Sequence, residues 1–393
     1  MIDPKTLVGN WSYPTSIRAG VGRIRELPDA CRALGIRRPL LVTDPALAGL
    51  PIMAAAIDAN ASAGLPTPVF SEVRANPVLA NVDAGVAAFR RGDHDGIIAF
   101  GGGSALDCAK AIAFMIPQTR PIWDFEDVGD AWTGAQTSGI APVIAVPTTA
   151  GTGSEVGRAA VITDEATRTK KIIFHPRMLP AIVIADPELL VGLPRRLTAA
   201  TGMDALAHNL EAYCSPAHHP IADGIALEGM RLAKEWLALA VREPTNLAAR
   251  AYTLCAAHMG AAAFQKGLGA IHALSHPLGS VLDTHHGETN GVVMPYVLAF
   301  NRPAIEEKIA RAARYLGLDR PDFDGFLDFV VALRSEIGIP DGVRELGMTE
   351  DHLDALAAMA AVDPTASGNP VPVGAAELRE IYVAALEGRI AGR

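Results

Sequence analysis

The sequence predicts an α/β half built on a parallel sheet, followed by an all-helical half. Three observations carry that expectation. Short unbroken apolar runs alternate with helical stretches as far as Pro194; long Ala- and Leu-rich segments with helical periodicity follow; and two of the apolar runs lead straight into glycine-rich loops. The runs are 39–43 (PLLVT), 96–100 (GIIAF), 143–146 (VIAV) and 181–185 (AIVIA). Apolar runs of that length without polar alternation suit strands buried on both faces, hence a parallel sheet covered by helices. Segments 79–91 and 104–116 supply intervening helices. Beyond Pro194, helices are expected over 220–241, 247–264, 304–316 and 323–337, with breaks at Pro216, Pro277, Pro303 and Pro340. The boundary falls near residues 190–196, giving an α/β domain over 1–194 and a helical domain over 195–393.

A length of 393 residues fits two or three domains at roughly 150 residues each. The net charge of −9, with no concentrated Lys/Arg run, argues against nucleic acid or an anionic membrane surface as partner. Cys31, Cys108, Cys214 and Cys255 are scattered and form no Cys-x-x-Cys pair, which fits a reducing compartment better than a disulfide framework. The opening residues MIDPK lack the pattern of a secretory signal, and no apolar run approaches the roughly 18 residues that span a bilayer. A soluble, cytoplasmic protein is expected.

Two loops carry the first chemical signal. The run 97–100 enters Gly101, Gly102, Gly103 and Ser104 at the start of a helix that contains Asp107 and Lys110. Consecutive glycines let backbone N–H groups approach a pyrophosphate, and the helix N-terminus favours its charge. The plain alternative is a tight turn capped by Ser104, with Asp107 completing a capping box. The second loop, 147–155 (PTTAGTGSE), also follows a buried strand and is dense in hydroxyls. Open α/β sheets bind ligands at such strand ends. Asp44 closes the run 39–43, where a carboxylate could accept hydrogen bonds from a ribose and repel a 2′-phosphate, favouring NAD. Its plain reading is an Asp-Pro turn.

The second signal lies in the helical half. Asp204 and His208 stand at i, i+4 in a predicted helix and share one face. His272 and His276 repeat that spacing, and His285 and His286 follow. One carboxylate with several imidazoles suits Fe²⁺, Zn²⁺ or a related divalent ion. Spacing alone leaves His276 and His285 as rival ligands. His94, His175, His218, His219, His258 and His352 read as surface or hydrogen-bonded core residues.

Stretches 101–110 (GGGSALDCAK), 147–156 (PTTAGTGSEV), 201–213 (TGMDALAHNLEAY), 272–279 (HALSHPLG) and 286–290 (HGETN) closely resemble the iron-containing alcohol dehydrogenases. Residues 186–189 (DPEL) and Asn76-Pro77 match as well, so the similarity runs in order from about Asp44 to Asn290. The resemblance implies a dinucleotide-binding domain followed by a helical domain, with the active site in the cleft between them. It implies metal ligands at Asp204, His208, His272 and His286, with Fe²⁺ the expected ion and Zn²⁺ the alternative. It places NAD contacts at Asp44, Gly102, Gly103, Ser104, Thr148, Thr149 and Lys170, the last matched more loosely because Lys171 lies beside it. His276 resembles the family's histidine near the nicotinamide and is the candidate for proton relay.

The implied reaction is reversible hydride transfer between a small alcohol or aldehyde and NAD in a homodimer or higher homo-oligomer. Alternatives are a reductase of an anionic aldehyde or keto acid, of 4-hydroxybutyrate or maleylacetate type, and a lyase resembling dehydroquinate synthase. Two departures stand out. Val371 occupies a position where many relatives carry arginine, and Lys266 lies where many carry a small or amide residue. Lys266 reads either as a solvated lysine or as a contact for an anionic substrate group.

Overall fold

A computed structural model describes residues 13, 15–167 and 169–392. The chain divides into two compact units, 14–192 and 193–393.

The first unit carries strands β1 (Ser16–Ala19), β2 (Pro39–Val42), β3 (Val69–Phe70), β4 (Gly96–Gly101), β5 (Val143–Pro147), β6 (Ala159–Asp164), β7 (Thr169–Phe174) and β8 (Ile182–Ala185). Its helices are α1 (Leu27–Ala33), α2 (Pro45–Ala48), α3 (Pro51–Ser62), α4 (Leu79–Arg91) and α5 (Gly103–Met115). Six strands form one sheet in the order β1-β8-β5-β4-β2-β3, parallel throughout, while β6 and β7 make a separate antiparallel hairpin. The four apolar runs are the inner strands β2, β4, β5 and β8, and every residue in them is buried. That is the pattern expected when helices cover both faces of a parallel sheet.

The strand order positions the ligand loops. After β2 the chain moves outward to β3, then returns to the other side of β2 as β4 and continues to β5. The connections leaving β2 and β4 therefore run in opposite directions, which opens a crevice at their carboxyl ends. Asp44 follows β2 and Gly102 follows β4.

The second unit is helical: α6 (Arg195–Cys214), α7 (Pro220–Arg242), α8 (Leu247–Ala263), α9 (Ala270–Leu282), α10 (His286–Tyr315), α11 (Phe323–Glu336), α12 (Leu353–Ala361) and α13 (Ala375–Glu387). Helix α6 packs against α7, α8 and α10, and every residue from Thr198 to Cys214 is buried. A helix enclosed on all sides must satisfy its polar groups internally. The amide nitrogen of Asn209 does so by donating to the Ala205 and Ala256 carbonyls at 2.7 and 2.9 Å. Asp204 and Glu211 on the same helix meet the requirement within the site described below. Among the described residues, no helix is long and apolar enough to cross a membrane.

Two expected breaks are overturned. Pro277 lies inside α9, and Pro303 lies inside α10 together with Pro295. The helix expected over 304–316 is therefore the end of a 30-residue helix that begins at His286. A proline removes one backbone bond and strains the preceding turn. Here α10 is held along its length by α6, α9, α11 and α13, and tertiary packing overrides the local penalty.

Candidate active site

In the first unit, the turn after β4 has Gly101 at φ +144°, a conformation that side-chain-bearing residues rarely adopt. Gly102 is the N-cap of α5 and supplies no side-chain cap. The capping alternative for Ser104 and Asp107 does not hold. Ser104 Oγ accepts the Asn76 N–H at 3.3 Å, while Asp107 accepts from Ser154 Oγ at 2.5 Å and from the Val161 N–H at 3.0 Å. The first turn of α5 is thus left without a side-chain cap from its own N-cap residue, a geometry suited to an anion.

The hydroxyl loop lies against the glycine loop. The Thr148 N–H donates to the Gly101 carbonyl at 3.0 Å. A Cβ at Gly102 would stand 3.2 Å from Thr149 Cγ2, and one at Gly103 would stand 2.6 Å from Thr152 Cγ2. Beneath both loops Lys110 is 1% exposed. It donates to the Ser154 carbonyl at 2.9 Å and to the Ala159 carbonyl, and lies 3.2 Å from Asp107. One turn of α5 therefore ties down the loop after β5.

Asp44 takes its plain reading, as the cap of an Asp-Pro turn. Its Oδ1 accepts the Ala46 and Leu47 N–H groups at 2.9 and 3.0 Å as the N-cap of α2. Its Oδ2 lies 3.7 Å from where a Cβ at Gly101 would be. Asp44, Gly102, Gly103, Ser104, Thr148 and Thr149 thus gather at the ends of β2, β4 and β5. Lys170 lies in the hairpin, on β7 opposite Thr163 of β6.

In the second unit, Asp204, His208 and His272 converge: all three are buried, and one potential ligand atom from each lies within 4.8 Å of the others. Asp204 Oδ1 is 3.7 Å from His208 Nε2, 3.8 Å from His272 Nε2 and 3.5 Å from His286 Nε2. The His208 and His272 rings stack at 4.7 Å between centroids, and the His272 and His286 rings stand 5.2 Å apart. His286 is the most exposed of the four. Asn290 points its amide into this group: Nδ2 is 2.8 Å from Asp204 Oδ1, 3.3 Å from His272 Nε2 and 3.2 Å from His286 Nε2. A carboxylate oxygen and two imidazole nitrogens therefore converge on one donor group. A donor set of this chemistry, aimed at one point, fits a divalent cation.

The structure separates the rival histidines. His285 is the N-cap of α10, with Nδ1 accepting the Glu288 N–H at 3.4 Å. His276 directs Nδ1 to Asp363 Oδ2 at 2.8 Å, and its ring stacks on His286 at 5.2 Å. Burial would lift the Asp363 carboxyl, but His276 and the hydrogen bonds from Thr365 outweigh it and hold the group below the ordinary aspartate value. Of the remaining histidines, His175 and His219 accept backbone N–H groups at helix N-caps.

Three residues with evident roles here were not singled out by sequence: Asn290, Glu211 and Asp363. Glu211 Oε2 lies 2.5 Å from His272 Nδ1. Burial pushes the His272 imidazolium down, but the Glu211 and Asp204 carboxylates more than offset this and raise it above the ordinary histidine value. The signal for Glu211 was available, since Asp204, His208 and Glu211 fall at i, i+4 and i+7 of one helix. Asp363 carried no local signal, because its partner is 87 positions away.

Neither reading of Lys266 holds. Its side chain is 1% exposed, and Nζ bonds Asp223 Oδ1 at 2.5 Å and the Tyr213 carbonyl at 3.1 Å. Burial pushes its pKa down to about 8, against the opposing pull of Asp223. The lysine is an internal ion pair between α7 and the turn before α9.

Comparison with known proteins covers nearly the whole chain. Residues 14–187 match the family model described as iron-containing alcohol dehydrogenase, and residues 198–386 match the model of that family's C-terminal region. The chain is 41% identical to the 4-hydroxybutyrate dehydrogenase of Cupriavidus necator, over 94% of this chain and 97% of that protein. A solved 1,3-propanediol oxidoreductase superimposes with a TM-score of 0.92 at 34% identity, over 96% of this chain and all of that one (100%). The sulfoacetaldehyde reductase of Bifidobacterium kashiwanohense, solved with NAD⁺, gives 0.88 at 32% identity, over 96% of this chain and 98% of that one.

Proposed function

The chain belongs to the iron-containing alcohol dehydrogenase family, and on that premise we propose reversible hydride transfer between a short-chain alcohol and NAD, supported by a divalent cation held at Asp204, His208, His272 and His286. Family membership makes it an NAD-dependent oxidoreductase acting on CH–OH groups. The observation that carries the metal assignment is the convergence of Asp204, His208 and His272, with the Asn290 amide aimed at the same lone pairs. We propose Fe²⁺ as the ion, Zn²⁺ being the alternative that the same donors accept. The first unit is proposed as the dinucleotide-binding domain and the second as the metal and substrate domain.

When bound, the cation would polarise the substrate's oxygen-bearing carbon and NAD would exchange the hydride. The chain's own residues supply binding, orientation and proton handling. Gly102 and Gly103, with the start of α5, receive the pyrophosphate at backbone N–H groups. Ser104, Thr148 and Thr149 offer hydroxyls beside them, and Asp44 Oδ2 accepts from the ribose and disfavours a 2′-phosphate. Lys170 is retained as a cofactor contact contributed by the hairpin. His276, with Nδ1 tied to Asp363, has Nε2 as the nitrogen that exchanges a proton with the substrate oxygen or water.

The substrate class we favour within this reaction is a short ω-hydroxy compound, a primary alcohol or the corresponding aldehyde. A carboxylated form is the second reading, supported by 41% identity to a 4-hydroxybutyrate dehydrogenase. The burial of Lys266 against Asp223 means that this lysine is not the group that would receive the carboxylate. We further propose a cytoplasmic homo-oligomer, a dimer or larger. The test is elemental analysis of anaerobically purified protein, followed by an NADH screen across 1,3-propanediol, linear alcohols and 4-hydroxybutyrate. Near-stoichiometric Fe²⁺ with NADH formation is expected. Metal-free protein with full turnover would overturn the metal assignment, and no NADH from any alcohol would overturn the reaction.

A further inference from the structure

Glu211 is buried on α6 and spends its two oxygens on consecutive residues of α9. Oε1 accepts the Ile271 N–H at 2.6 Å, and Oε2 lies 2.5 Å from His272 Nδ1. The N-cap of α9 is Gly269, which has no side chain to cap the helix. Its first amides are satisfied from elsewhere: Ala270 N–H by Asn369 Oδ1 at 3.1 Å, and Ile271 N–H by Glu211. A Cβ at Gly269 would stand 2.9 Å from Asn369 Oδ1 and 3.1 Å from Glu211 Oε1, so glycine leaves both acceptors room.

This geometry has a chemical consequence for the ring. A carboxylate only accepts, so the imidazole nitrogen facing it must carry the hydrogen. His272 therefore carries hydrogen on Nδ1, and in the neutral ring its Nε2 holds the lone pair. That lone pair faces Asp204 Oδ1 at 3.8 Å and the Asn290 amide, a hydrogen donor, at 3.3 Å. The Asn290 contact is an independent mark of the same tautomer, because an Nε2–H there would oppose the amide hydrogens. Glu211 itself is not in the group whose ligand atoms converge, which comprises Asp204, His208 and His272.

We infer that Glu211 is a positioning residue for the metal site: bound at once to the Ile271 amide and to His272 Nδ1, it fixes both the seat of α9 and the tautomer that turns the His272 Nε2 lone pair toward Asp204 and His208. The inference rests on the proposed metal site. It assigns Glu211 a role beyond capping, since a cap needs only one acceptor oxygen. In Glu211→Gln the amide oxygen can keep the Ile271 N–H, but its NH₂ then faces His272 Nδ1. The ring must accept there and carry its hydrogen on Nε2, toward the metal.

The test uses the full-length chain labelled with ¹⁵N-histidine and stripped by chelator. Long-range ¹H–¹⁵N spectra then read the His272 tautomer, with His272→Ala identifying its signals. Zn²⁺ affinity is measured by competition with a chromophoric chelator. At a pH where the ring is neutral, wild type is expected to show His272 as Nδ1–H. E211Q should show Nε2–H and bind Zn²⁺ about 10- to 100-fold more weakly, the effect typical of losing the carboxylate behind a metal-bound histidine. Glu211→Asp, too short to reach both partners but still an acceptor, should recover part of the affinity. Wild-type His272 found as Nε2–H overturns the inference without recourse to any variant. So does E211Q with wild-type tautomer and affinity while His272→Ala loses Zn²⁺. If His272→Ala itself binds Zn²⁺ like wild type, the underlying metal site fails, and the inference falls with it.

Discussion

His276 Nδ1 and Asp363 Oδ2 lie 2.8 Å apart, joining α9 to the segment after α12. Asp363 is anchored in turn, with Oδ1 accepting from the Thr365 N–H at 2.9 Å and from Thr365 Oγ1 at 2.5 Å. The pair orients an imidazole that stacks on His286. Asp363→Asn should therefore lower kcat by about ten-fold or more, short of the roughly 10²–10⁴ that general acid–base catalysis contributes, with little change in KM. The comparison that decides is the double variant with His276→Ala. Residues acting as one unit are non-additive, so fully additive losses would count against the pairing.

The cap that Asp44 provides and its proposed ribose contact can be separated by a single substitution. Replacement by glycine removes the carboxylate and also the cap on Ala46 and Leu47. Asp44→Ser keeps an acceptor for those amides and removes only the charge. We expect D44S to raise kcat/KM for NADP while leaving thermal stability close to wild type. Unchanged NADP use in steady-state kinetics would exclude the ribose role.

Gly103 faces Thr152, and the 2.6 Å that would separate a new Cβ from Thr152 Cγ2 leaves no room for alanine. Gly103→Ala should push the hydroxyl loop away and raise KM for NAD, without altering bound metal. Adding Thr152→Ala should recover part of the loss. A KM for NAD that stays at the wild-type value in G103A would show that the contact between the loops has no bearing on cofactor affinity.

The buried Lys266 gives a pH-dependent signature whose sign can be worked out. Its folded pKa of about 8 lies below the ordinary lysine value of 10.5. Between those values the unfolded chain holds a proton that the folded chain has released, so stability rises with pH across that window. Urea unfolding of wild type should become harder from pH 8 toward pH 10 relative to Lys266→Met. Parallel pH profiles for the two proteins would refute the depressed value. Met is a fair replacement because Asp223 retains Lys308 at 3.6 Å.

How much of this was legible follows from where each signal resides. The inner strands were plain because burial on both faces leaves continuous apolar runs. The edge strand β1 has exposed ends and the edge strand β3 has two residues, so neither stands out from a loop. Pro277 and Pro303 misled because proline speaks only for its own turn, whereas α10 is held by neighbours distant in sequence. Asp204 and His208 announced themselves through i, i+4 spacing. Glu211 extends the same face at i+7, a signal that takes on meaning once α6 is buried on every side. Lys266 was read as solvated or substrate-facing because its partner Asp223 lies on a different helix.

Asp204 and His208 ride on α6, His272 on α9 and His286 on α10. An ion seated among them would brace three helices together, so by mass action its occupancy and the fold's resistance to heat should climb together. At free-ion levels about a hundred-fold above Kd the gain is about 2.7 kcal/mol. Dialysis against a chelator therefore doubles as a melting experiment, in which the helical unit loses part of its scaffolding along with its chemistry.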